Sequence, residues 1–226
     1  MTGPDALVDR MAVLIAATHE RVTVIAEDRL DIEVDGNAKF TELRDSLTIE
    51  AVGNRLEVRV PEGTDVVIGT TSARAEIRGQ VGNAAVTTES GRISIEGASS
   101  VDARTISGRV ELGQIEGDCR VRSENGRVNV QSCAAADVAT THGSIRLDAA
   151  DGITRAHCVN GRIDIEMAGA HDVFAETVSG RIDVSLPAGT NAFKRGATFA
   201  SSDYTDRYDC VVDVRSTTGR VSVSVR

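Results

Sequence analysis

Arginine is the residue type whose spacing in this 226-residue chain could do chemistry. Arg74, Arg92, Arg109, Arg127, Arg162, Arg181 and Arg220, with Arg55 before them, each open the same short pattern of arginine, apolar residue, any residue, apolar residue. Two positions further on stand Glu57, Glu76, Glu111, Asp164 and Asp183, and in one copy Ser144 and Arg146 exchange the order of charge. If the copies stack, the guanidiniums form one outward column and the carboxylates a second. One reading is a ladder of exposed ion pairs, each worth ~0–1 kcal/mol, that keeps a sheet soluble and in register. The other is a linear cationic site for an acidic polysaccharide or a phosphate-rich polymer. The acidic column cancels much of the field that a polyanion needs, so the ladder is favoured and no polyanion binding is expected at physiological salt.

Few other residues carry chemistry in their spacing. His19, His142, His157 and His171 show neither HxH nor HxxxH spacing, and His142 occupies a turn position. Cys119, Cys133, Cys158 and Cys210 lack CxxC spacing and the density of a secreted disulfide scaffold; Cys119 and Cys158 read as small apolar fillers. No GxSxG, Walker or GxGxxG context is present, and the Gly-Arg pairs are turn signals rather than phosphate cradles. No catalytic, cofactor-binding or metal-ligating set emerges.

The elements that must position the arginines follow from the repeat itself. Ser90-Gly91-Arg92-Ile93-Ser94-Ile95 recurs at Ser107, Asn125, Asn160, Ser179 and Thr218, and in weaker form at Gly53, Ser72 and His142. The usual glycine position falls at 54, 73, 91, 108, 126, 143, 161, 180 and 219, so the steps are 17 to 19 residues except the last, which is 39. A period this short and regular means a solenoid. Ahead of each glycine, small or apolar residues recur two apart, as in Val66, Ile68, Thr70 and Ala84, Val86, Thr88; behind it come pairs such as Ile93 and Ile95 or Ile163 and Ile165. Period-two patterning on both sides predicts strand, glycine turn, strand, loop, with five inward columns per rung. Like stacks on like, so the rungs are parallel and in register at ~4.8 Å, and the parallel crossover makes the coil right-handed. The turn is expected to hold its glycine at positive φ, which Asn54 tolerates and which Ala73 would strain.

Both ends depart from the repeat. Leu7, Val8, Met11, Leu14 and Ile15 fall on one helical stripe, which predicts an amphipathic helix over residues 4–18 that caps the first rung, within an N-terminal unit of residues 1–20. Residues 21–226 are expected to form a single β-solenoid domain. Strands begin at Arg21, Asp35-Gly36-Asn37 reads as a turn, and Phe40 and Leu43 are placed against the first rung. The long final step holds an insertion at 187–209 that carries Phe193, Phe199, Tyr204 and Tyr208 and is read as a C-terminal cap. Aromatic residues are 3% of the chain and Trp is absent, so Val, Ile, Leu, Ala and Thr must build the core. The net charge of −9 argues against a nucleic-acid partner. Asp5 and Asp9 argue against a signal sequence, the apolar run 11–17 is too short to span a bilayer, and the expected location is cytoplasmic.

The repeated Ser/Asn-Gly-Arg-Ile/Val copies, the small Thr columns, the N-terminal strand pair and the closing Thr218-Gly219-Arg220-Val221-Ser222-Val223 together resemble the bacterial putative-adhesin family, over roughly residues 20–226. The resemblance implies a β-solenoid domain of unknown function, with no catalytic residues to carry over. Many family members have Asp after the turn glycine where this chain has Arg. The expected function is a noncatalytic structural or interaction module, a rigid scaffold presenting a repeated surface to a protein or polymer, as a monomer or small homo-oligomer. A bactofilin-like filament former is the alternative. A carbohydrate-active β-helix enzyme ranks last, because loops such as Gly97-Ala98-Ser99-Ser100 are too short to wall a substrate.

Overall fold

The computed structural model describes residues 12–43, 45–196 and 208–226. These are all-β, with no helix among them. In chain order the strands are β1 (Ala12–Ala17), β2 (Arg21–Glu27), β3 (Glu33–Leu43), β4 (Ser46–Pro61), β5 (Asp65–Thr70), β6 (Arg74–Ala150), β7 (Thr154–Met167), β8 (Val173–Leu186), β9 (Ala192–Arg195) and β10 (Cys210–Val225). They form one sheet that coils as a β-solenoid. Successive turns pair in parallel and in register: Val66 with Ala84, Ala136 with Thr154, Thr154 with Val173, and Val173 with Val212.

The inward columns predicted from the repeat form the core. Val66, Ala84, Val101, Cys119, Ala136, Thr154, Val173 and Val212 make one file of buried residues. Ile68, Val86, Ala103, Val121, Val138, Ala156, Ala175 and Val214 make the next. Behind the glycines, Ile93, Val110, Val128, Ile145, Ile163 and Ile182 are fully buried. A further column lies where the repeat reads as loop: Val81, Ala98, Ile115, Cys133, Ala150 and Met167 are also buried. β6 runs without interruption over residues 74–150, although Gly79 takes φ of 75°, and the third side of each turn also contributes to the core. Burying each Val or Ile in these files is worth about 1.5–3 kcal/mol, which offsets the scarcity of aromatic rings.

The glycine column serves a different purpose from the one its sequence context implies. Gly143, Gly161, Gly180 and Gly219 have φ of 147°, 156°, 157° and 159°, but Gly91, Gly108 and Gly126 are not at positive φ. All seven share close stacking. A Cβ on Gly108 would run into the carbonyl oxygen of Gly91, one on Gly126 into that of Gly108, and one on Gly161 into that of Gly143. Each corner rests directly on the carbonyl beneath it, which leaves no room for a side chain. No residue other than glycine has positive φ among the described residues, so Asn54 and Ala73 are not strained turn residues. Ala73 sits in the break between β5 and β6.

The N-terminal helix is not what the chain forms over 12–17. Those residues are strand β1, with Val13 and Ile15 buried; residues 1–11, which hold the rest of the expected helix, lie outside the described residues. The run Ala-Val-Leu-Ile-Ala-Ala satisfies a helical stripe and a strand alternation equally, and tertiary pairing decides between them. β1 lies between β4 and β5, with Val13 opposite both Leu47 and Val66, and Ile15 opposite both Ile49 and Ile68. β2 lies likewise between the second half of β4 and the start of β6. The first turn in sequence is therefore the second in space.

Beyond it, β3 runs antiparallel to β4 and forms the outer strand at that end. Asp35-Gly36-Asn37 is not a turn: it lies inside β3, where the register shifts between Gly36 and Ala38. Phe40 stands opposite Ile49 at the end of the core, although it stays 54% exposed. At the other end the chain also goes out and returns, because β9 pairs with the outer side of β10, which in turn pairs with β8. Phe193 on β9 packs against Tyr208 with ring centroids 5.0 Å apart; Phe199 and Tyr204 lie outside the described residues.

Candidate interaction surface

The second strand of each turn places its arginine on the outer face, because the apolar residues on either side of the alternation point inward. Arg162, Arg181 and Arg220 are direct neighbours across strands, and Ser144 continues their column. Arg55 is paired with Arg21. Arg21 was not among the candidates, since its Arg-Val-Thr-Val segment lacks the preceding glycine; its pattern after that position is the same as in the repeats. Because β1 and β2 are inserted between β4 and β5, Arg21 separates Arg55 from Arg74 in the column.

Carboxylates reach only some of these arginines. Arg55 and Arg59 bind Glu57 at 2.5 and 3.1 Å, and Arg21 and Arg78 bind Glu76 at 3.0 and 2.8 Å. Hydrogen bonds from Arg55 and Arg59 hold the Glu57 carboxyl below the usual glutamate range, and those from Arg21 and Arg78 do the same for Glu76. Arg109 meets Glu111 at 3.3 Å, while Arg162 and Arg181 meet Asp164 and Asp183 at 2.6 and 2.5 Å. Arg146 turns to Asp148 in its own turn at 2.6 Å, so the exchanged pair is satisfied along the strand rather than across it.

Arg74, Arg92, Arg127 and Arg220 make no ion pair among the described residues. The cause is local. The position two residues on is Ser94 after Arg92, Asn129 after Arg127 and Ser222 after Arg220, and Glu76 beside Arg74 is already held by Arg21 and Arg78. The ladder is thus complete around residues 162–183 and open around residues 74–127.

On the same face, a groove of about 520 Å³ runs past Glu76, Arg78, Ser94, Glu96, Glu111 and Asn129. The face formed by the first strands carries a smaller groove of about 280 Å³, where Arg155 stacks over Phe174 with its guanidinium carbon 5.4 Å from the ring centroid. The histidines are dispersed: His142 meets Asn160 at 3.3 Å, His157 lies 3.8 Å from Glu176 and His171 lies 3.6 Å from Asp151. No group of three His, Cys, Asp or Glu residues able to hold a metal ion occurs among the described residues. All four cysteines are free and buried. Burial pushes the Cys119 thiol strongly upward, with Cys133 adding to the shift, and raises Cys133 to about 11, so neither is poised as a thiolate.

Fold and surface together define a short-rung parallel β-solenoid whose regular feature is an outward column of charge. The chain belongs to the family described as Toastrack DUF4097, which it matches over residues 12–223. Among solved structures it is similar to a putative adhesin from Bacteroides fragilis, at 12% identity and a TM-score of 0.43, covering 95% of this chain and 91% of that one. It is also similar to a putative cell adhesion protein from Clostridium sporogenes, at 7% identity and a TM-score of 0.23, covering 98% and 95% of the two chains. No curated protein matches it.

Proposed function

We propose that this chain is a noncatalytic interaction module: a rigid solenoid that presents a repeated polar surface to a protein or polymer, as a monomer or small homo-oligomer in the cytoplasm. The observation that carries the reading is the in-register stacking of Arg162 on Arg181 and Arg220, which turns one short motif into a linear surface feature. Glu76, in the larger groove, is held below the glutamate range by two arginines, the reverse of what a general acid requires. The four free cysteines fit a reducing compartment.

The filament-forming alternative needs open terminal strands at both ends. The bulged, antiparallel β3 at one end works against that; at the other, β9 covers Cys210–Asp213 and leaves residues 214–225 of β10 without an outer strand among the described residues. Two measurements test the proposal: light scattering with electron microscopy of the purified chain, and capture by the immobilised chain from an extract of its host. A small, discrete particle that retains a reproducible protein or polymer is expected. Filaments at micromolar concentration would replace this reading with the cytoskeletal one, and capture of nothing would remove it.

A further inference from the structure

We infer that the stretch of the column from Arg74 to Arg127 is a binding site for an acidic polysaccharide. The inference rests on the interaction-module reading and names the surface and partner class within it. The expectation that acids neutralise the arginine column holds where Asp164 and Asp183 occupy Arg162 and Arg181; where Ser94 and Asn129 take the acidic positions, Glu76, Glu96 and Glu111 still line the groove on that face, but none of them pairs with Arg92 or Arg127. Over four successive turns the column presents Arg74, Arg92, Arg109 and Arg127, and only Arg109 is engaged, by Glu111 at 3.3 Å. An ion pair of that kind between exposed groups contributes little and gives way readily to a competing anion.

The chemistry beside the arginines narrows the partner. Two residues before each one, across the corner, stands a short polar residue, Ser72, Ser90, Ser107 or Asn125, so every turn supplies a hydroxyl or amide as well as a guanidinium. Guanidinium binds carboxylate or sulfate in a two-pronged manner, and the hydroxyl or amide can exchange hydrogen bonds with neutral hydroxyls. A chain of sugar acids carries both groups in every unit. The turns repeat at ~4.8 Å, so the site favours a ligand whose charges recur on a similar scale. A protein segment would instead be anchored by aromatic or aliphatic side chains in an apolar pocket. None of the exposed large apolar residues belongs to this column; Ile106 and Val67 point out from the first strands, on the other side of the corner.

The test compares two double variants that remove the same net charge. Polygalacturonate is the probe, with polyglutamate as an acidic peptide and dextran as a neutral sugar polymer, measured by titration of the full chain at 50 and 150 mM salt. The wild type should bind polygalacturonate, weaken as salt rises, and lose at least tenfold in affinity with Arg92→Ser plus Arg127→Ser. Arg162→Ser plus Arg181→Ser should change affinity by less than threefold. All of these positions lie on the surface, and thermal melts confirm that each variant is folded. Absence of polygalacturonate binding, or equal losses in the two variants, overturns the inference. Equal or tighter binding of polyglutamate overturns the choice of polysaccharide. If polygalacturonate fails while the immobilised chain still captures a host partner, the inference falls and the interaction-module reading stands.

Discussion

At the scale of single residues, adjacent positions in one strand have opposite fates. Ile163 is fully buried in the core, whereas Arg162 beside it lies on the surface with Asp164 and Asp183 as partners. Ile163→Ala should therefore cost about 2–5 kcal/mol through lost burial and a residual cavity, and Arg162→Ala less than about 1 kcal/mol. Denaturant melts of the two variants measure the difference, and equal losses would mean that the inward and outward sides are misassigned. Glu76 gives a pH signature. Its folded-state carboxyl is held below its unfolded value by Arg21 and Arg78, so its contribution is present above the unfolded pKa and fades as pH falls through the folded one. Glu76→Gln should lower stability near neutral pH and make the acid limb of the stability profile shallower. An acid limb identical to that of the wild type would show that the two contacts do not matter in solution.

At the scale of elements, the corner is set by stacking rather than by turn type. Gly161 combines φ of 156° with a carbonyl of Gly143 directly beneath it, so Gly161→Ala should push the turns apart and lower stability by about 1–3 kcal/mol. Gly69, in the middle of β5, has nothing within 4 Å of where its Cβ would be, and Gly69→Ala should be neutral or slightly stabilising. Thermal melts check the contrast; equal tolerance at both positions would remove the stacking explanation. The Thr and Ser residues just ahead of the corners are buried with the core, and the hydroxyls of Thr70, Thr88, Thr105 and Ser123 have no hydrogen-bond partner among the described residues. Their small size suits the corner.

At the scale of the whole molecule, both ends are built by sending the chain outward and bringing it back. β1 and β2 become internal once β4 and β5 enclose them, and β10 becomes internal over Cys210–Asp213 once β9 lies outside it. At the β3 end this order of assembly works against growth of the stack by simple addition of copies, whereas residues 214–225 of β10 carry no outer strand among the described residues. It also places the first strand of the chain in contact with residues 46–50 and 65–70, so the N-terminal part of the core closes only after those strands are made. Stacking between neighbouring turns carries the rest, as in other repeat architectures.

What the sequence determined by itself was whatever the repeat encodes locally: the parallel register, the inward files from Val66 to Val212 and the outward arginines, because identical neighbours stack only in register. Ser94 and Asn129, which leave Arg92 and Arg127 unpaired, were legible in the same column. Tertiary structure alone decided the ends and the corners. Whether Ala12–Ala17 is helix or strand depends on Leu47 and Ile49 on one side and Val66 and Ile68 on the other, which are distant in sequence. The place of Arg21 between Arg55 and Arg74 follows from the same insertion. The buried residues of the third side, Ala98 and Ile115 among them, sit in segments rich in Gly and Ser, where local signals read as loop, and they face inward because each turn closes on a common core.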